Sequence, residues 1–179
     1  YPVHVTLYLL RNFMEIIKPM GGKTRAEAVK KFFGTLGTTF ILAGAVGPKA
    51  MSMAADFADG LAGFSFNADI EEIKDSFQRV MEAFASRNTP PRLVTSFWFG
   101  LGETAREDIQ IHLSRYLGWM GEDLASELSK TAGLAGTERD LKDFLLAIKD
   151  AGATDVLLVP TSKNINQLLA AEEIVASMA

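Results

Sequence analysis

At 179 residues and 48% hydrophobic, the chain is long enough to bury one sizeable core, and a single domain over 1–179 is the natural expectation. Its formal net charge of −4 argues against nucleic acid or an anionic membrane as a partner, because both reward a strongly basic face. The absence of cysteine excludes disulfide scaffolds and thiolate chemistry, and with no signal peptide and no apolar run of membrane-spanning length the expected location is the cytoplasm.

The first predicted element is a helix from Val5 to Met20, with Leu9, Leu10, Phe13, Ile16 and Ile17 at helical spacing and Gly21-Gly22 to end it. The chain begins at Tyr1 within a pattern already under way, so its start is expected to lie elsewhere. A second helix is predicted over 25–33, where Lys23, Arg25, Lys30 and Lys31 read as a solvated basic face. Next comes Thr39-Phe-Ile-Leu-Ala-Gly-Ala-Val-Gly-Pro-Lys-Ala-Met51. Its unbroken apolar run suits a parallel strand covered on both faces, over 39–43. Gly44 and Gly47 allow a tight turn, and Pro48 fits the first position of a helix over 48–58. Unpaired N–H groups and the positive end of a helix dipole converge at such a turn, which makes it a candidate phosphate cradle. A plain βα connection would satisfy the same spacing.

Strands are predicted further along at 61–66, 92–99 and 154–159. Helices are predicted at 69–86, 104–117, 123–131, 138–149 and 165–178. Asn67 is the expected cap of the helix at 69–86, and Thr137 with Asp140 forms a capping box with a shortened acid. Gly152 marks the end of the helix over 138–149. Strands alternating with helices predict an α/β fold of parallel βα units with right-handed crossovers.

Four stretches carry a family resemblance: Ile41-Leu-Ala-Gly-Ala-Val-Gly-Pro-Lys-Ala-Met51, Ala54-Ala-Asp-Phe-Ala-Asp-Gly60, Leu93-Val-Thr-Ser-Phe-Trp-Phe99 and Ala151-Gly-Ala-Thr-Asp-Val-Leu-Leu-Val-Pro160. They resemble the luciferase-like oxidoreductases, and Leu10-Arg-Asn-Phe-Met-Glu-Ile-Ile-Lys-Pro-Met20 is similar to the helix after that family's fourth strand. The resemblance spans nearly the whole chain. It implies a TIM-barrel scaffold, a flavin or deazaflavin cofactor at the C-terminal ends of the strands, and redox chemistry on a small organic substrate. A complete barrel takes about 250 residues and eight strands, whereas four are predicted here, and they resemble the last four. Four strands cannot close a barrel. The expectation is therefore a chain lacking its N-terminal half, or a homo-oligomer in which two halves cover one another.

By the same resemblance, the cofactor-binding residues are Gly44, Ala45, Val46 and Gly47 in the turn, with Phe64 and Ser65 at the end of the following strand. Family members that use flavin mononucleotide often carry a serine in the turn. The Gly-Pro-Lys form resembles members that use the deazaflavin coenzyme F420, and deazaflavin is favoured, with flavin mononucleotide as the alternative. The implied activity is hydride transfer, or with flavin mononucleotide the oxygenation of a monooxygenase. A cofactor-free half-barrel with a structural or self-associating role is the competing expectation.

Other candidates are weaker. Gly100-Leu-Gly-Glu-Thr-Ala105 matches a dinucleotide fingerprint, but Glu103 would sit in the anion site and no strand with a ribose-binding acid follows, so a plain turn is preferred. His112 and His4 have no spaced metal partner, Asp56 and Asp59 read as helix-end residues, and Phe97-Trp98-Phe99 reads as packing beneath helices. No metal site is expected, and no nucleophile–base set identifies catalytic residues.

Overall fold

The computed structural model describes residues 41–178. The predicted helices over 5–20 and 25–33, the basic cluster between them, His4 and the first two residues of the strand at 39–43 lie outside this range. The described chain alternates strands and helices in the order β1 (Leu42–Ala43), α1 (Pro48–Ala55), β2 (Gly60–Ala62), α2 (Ile70–Ala83), β3 (Arg92–Leu101), α3 (Ala105–Tyr116), α4 (Glu122–Ser129), β4 (Leu134–Gly136), α5 (Glu138–Asp150), β5 (Asp155–Pro160) and α6 (Ile165–Ala176). A 3₁₀ turn at Gly118–Met120 links α3 to α4. Every strand pair is parallel.

Local sequence explains most of these boundaries. The carboxylate of Asp69 accepts from the N–H groups of Glu71 and Glu72 and so caps α2. This corrects the expectation for Asn67, whose Oδ1 instead accepts from the Thr131 hydroxyl at 3.1 Å. Thr137 and Asp140 form the expected capping box at α5. The bonds from Thr137 stabilise the ionised form of Asp140 and hold its carboxyl below the usual range. Gly152, at φ +95°, closes the turn after α5.

β3 is the spine of the sheet, and its two edges are shared unequally. On one edge its carbonyls at Val94 and Ser96 accept from Gly63 and Ser65, and the N–H of Gly102 donates to Gly136, so β2 and then β4 lie in line along the same edge. On the other edge Leu93 and Phe99 accept from Thr154 and Thr161, and β5 runs from Val94 to Phe99. β5 ends before Leu101. There the side chain of Gln167, buried on the inner face of α6, takes the place of a strand: Nε2 donates to the Leu101 carbonyl at 3.2 Å and Oε1 accepts its N–H at 3.3 Å.

Alternation along β3 sorts the core into two layers. Leu93, Phe97, Phe99 and Leu101 pack with the buried stripes of α1, α2, α5 and α6, such as Ile73-Phe77-Val80 and Leu141-Leu145-Ile148. Trp98 points the opposite way and packs with Ile109, Leu113, Leu117 and Ala125. The α3–α4 excursion therefore covers the C-terminal end of the sheet face that a second half-barrel was expected to cover, which corrects that part of the sequence reading. Lower on this face Leu157 of β5 remains 56% exposed.

Candidate functional site

The turn after β1 is built as predicted, with a different use of its glycines. Gly47 is the N-cap of α1 in extended conformation (φ −94°, ψ 154°), Pro48 opens the helix, and the Gly47 carbonyl accepts from Met51 at 2.9 Å. Neither Gly44 nor Gly47 has a positive φ, and a Cβ added at either would meet no atom within 4 Å. The turn does not need glycine for its own geometry; its two glycines leave open space above the backbone. No side chain caps α1 and no acid lies in its first turn. The N–H groups of Lys49 and Ala50 thus face outward at the positive end of the helix dipole. The Lys49 side chain is exposed.

Five of the six expected residues, Gly44, Ala45, Val46, Phe64 and Ser65, line one cavity of about 200 Å³ at the C-terminal ends of β1 and β2. Gly47 lies at its margin and does not line it. The cavity extends into the layer between the sheet and α1 and α2, where Met51, Glu72, Ser76, Arg79 and Thr95 join the lining. The sequence pattern did not single out these last five, because α2 and β3 converge here only through tertiary packing.

Phe64 and Ser65, just beyond the end of β2, turn to opposite sides of the sheet, one toward Trp98 and the other toward Glu72. The Phe64 ring, 44% exposed, meets Trp98 edge-on with centroids 4.5 Å apart. Trp98 in turn meets Phe66 at 5.3 Å and Tyr116 at 5.9 Å. His112 stacks on Tyr116, and partial burial lowers its pKa, so it is neutral near pH 7. Ser65 is 2% exposed and its hydroxyl is committed inside the protein: it donates to Glu72 Oε2 at 2.8 Å and accepts from the Asp69 N–H at 3.0 Å. Ser65 therefore shapes the β2–α2 turn and offers no free hydroxyl donor to a ligand.

A larger cavity of about 520 Å³ opens where the first turns of α3, α5 and α6 meet. Several of its polar groups already have partners: Thr104 donates to Asp108, Thr137 pairs with Asp140, Asn164 caps α6, and Gln167 binds Leu101. It reads as the meeting of three helix starts, of which α5 and α6 are capped by Thr137 and Asn164. The Gly100–Ala105 turn belongs to the same end of β3 and is a plain connection. A Cβ at Gly100 would lie 2.8 Å from the Ala105 carbonyl oxygen, and Gly102 sits at φ +91°, so both glycines serve the turn itself. Asp59 is a strand pin rather than a helix-end residue, because its carboxylate accepts from the Ile41 N–H at 2.7 Å. Among the described residues no group of acids or histidines is arranged to hold a metal, and no helix is long and apolar enough to cross a membrane.

No protein-family model and no curated protein sequence matches the chain. Solved structures do match. An F420-dependent secondary alcohol dehydrogenase, in complex with an F420-acetone adduct, superposes with a TM-score of 0.54 at 13% identity, over 79% of this chain and 56% of its own. A coenzyme F420 dependent tetrahydromethanopterin reductase from Methanopyrus kandleri superposes with a TM-score of 0.51 at 14% identity, over 68% of this chain and 44% of its own. The chain thus spans about half the length of these structures. The likeness is one of fold: parallel βα units of the TIM-barrel kind.

Proposed function

We propose that the chain is the cofactor-holding part of a deazaflavin-dependent oxidoreductase acting on a small organic substrate, with the cofactor phosphate at the N-terminus of α1. The observation that carries this reading is the convergence of Gly44, Ala45, Val46, Phe64 and Ser65 on one cavity beside an uncapped helix start. Its support from outside the chain is that both solved structures described above are F420-dependent enzymes.

The residues present fit such a group. Open space above Gly44 and Gly47 lets a ligand approach the backbone, and the first-turn N–H groups of α1 have no carboxylate competing for them. Val46, 89% exposed, and Phe64 supply apolar surface at the mouth. At about 200 Å³ the cavity is below the roughly 300–1,000 Å³ of sites that engulf a whole small ligand. These residues thus hold one part of the cofactor. When bound, the deazaflavin supplies hydride transfer. The chain's own residues bind its anionic end, orient it through backbone contacts and keep water from its apolar side.

Deazaflavin is preferred to flavin mononucleotide because the 44–47 turn has no serine and the Ser65 hydroxyl is already engaged with Glu72 and Asp69. Titrating the full chain with each coenzyme, followed by coenzyme fluorescence, tests this. Tight binding of the deazaflavin coenzyme is the expected result. Tight binding of flavin mononucleotide alone would reverse the cofactor assignment, and binding of neither would favour the cofactor-free, self-associating reading.

A further inference from the structure

We infer that the outer face of α6 is a self-docking surface, on which a second copy of this chain lays its own α6 antiparallel across a twofold axis. The assignment is independent of the cofactor reading. α6 is apolar on two sides. Ala171 and Ile174 are buried against the core on one of them. On the other, Ile165, Leu168, Leu169 and Val175 recur at helical spacing, yet all four stay between 43% and 61% exposed. A contiguous exposed stripe of this kind marks an interaction surface.

Charge decides what covers the stripe. Lys163 stands just before the Asn164 cap, and Glu172 and Glu173 lie toward the other end of the helix. All three are exposed, and none has an ion-pair partner among the described residues. This polarity opposes the helix's own dipole, which favours acids at the start and cations at the end. An antiparallel copy reverses the relation: the acids of one α6 lie over the positive start and the Lys163 of the other, and the twofold axis repeats the contact. A parallel copy would set acid against acid. Glu172 itself stands within the stripe, one turn from Leu168 and Leu169, where a wholly apolar partner would leave its carboxylate unpaired. With the crossing centred between Leu168 and Leu169, Glu172 of one copy lies about 5 Å along the axis from the centre and Lys163 of the other about 8 Å, at roughly 1.5 Å per residue. The two charges then fall within side-chain reach, and the leucines of both copies meet in the middle. The stripe offers roughly a few hundred Å² per copy, the size of a weak interface rather than an obligate one. Such a dimer dissociates on dilution.

The test is sedimentation velocity of the full chain from low to high micromolar concentration, with thermal unfolding on the same preparations. The parent is expected to pass from monomer to dimer as concentration rises. Leu168→Glu sets like charges at the centre of the crossing and is expected to raise the dissociation constant about tenfold or more. Lys163→Glu or Glu172→Lys alone is expected to raise it about two- to fivefold. Each of these single reversals suits the helix's own dipole, so thermal stability should be equal or higher even as association weakens. The double variant Lys163→Glu/Glu172→Lys restores the pair with its signs exchanged and is expected to return the dimer to near the parent's affinity. A parent that stays monomeric throughout would overturn the assignment, with another part of the same chain or solvent on the stripe. A parent dimer that no α6 variant weakens would overturn it in favour of the sheet face around Leu157, and a double variant no tighter than the singles would overturn the antiparallel pairing.

Discussion

Replacing Gly47 with aspartate separates the stability of the α1 turn from its proposed use. Gly47 is an N-cap in extended conformation, and an added Cβ would meet nothing within 4 Å, so aspartate fits without strain. Its carboxylate is among the best N-caps and would accept from the first-turn N–H groups, adding a few tenths of a kcal/mol to stability relative to glycine. The same substitution takes the donors that a phosphate would use and sets a negative charge beside it. Two unit charges about 4 Å apart repel by roughly 4 kcal/mol at an effective dielectric of about 20, and by about half that with greater solvent screening. The expected outcome is a thirtyfold or larger loss of affinity for the deazaflavin coenzyme in a protein that melts no lower than the parent. Coenzyme fluorescence titration and thermal unfolding, run on the same preparations, measure both quantities. Unchanged coenzyme affinity with a formed helix cap would refute the phosphate assignment.

Gln167→Leu should destabilise the fold by about 2 kcal/mol or more in denaturant unfolding, because it strands the buried N–H and C=O of Leu101 together; a loss under half a kcal/mol would mean that water replaces the amide. The Arg92 and Thr154 hydrogen bonds hold the Asp155 carboxyl below its usual range, so its contribution is present above about pH 4 and lost as pH falls through the lowered folded value. Both partners are partly exposed, and Asp155→Asn should therefore cost only about 0.5 kcal/mol at pH 7. The difference should vanish near pH 2, and persistence of the full difference there would exclude the ion pair as its source. The exposed Leu157 on the sheet face supports self-association of this chain, expected as a dimer or larger species in sedimentation at low micromolar concentration. A cooperative monomer under those conditions would contradict it.

Much of the fold was legible because it follows from local physics. The apolar and aromatic content of β3, the 3.6-residue stripes of α2 and α5, proline at the first position of α1 and the Thr137–Asp140 box each act within a few residues, and these elements fall where the signals put them. The grouping of Gly44 to Val46 with Phe64 and Ser65 came from the family resemblance, and the five residues line one cavity. Three features depended on distant partners. β4 is only three residues long and pairs the end of β3 beyond the point where β2 stops on that edge; its approach requires Gly133 at φ +66°, where a Cβ would lie 2.7 Å from the Trp98 carbonyl oxygen. The cap of α2 passed from Asn67 to Asp69 because Asn67 is drawn to Thr131, sixty-four residues away. Thr95 reads in sequence as one more β-branched strand residue. Only the packing of α1 and α2 over β1 and β2 buries Thr95 and turns it toward a cavity, because burial is a property of three-dimensional neighbours that no local pattern encodes.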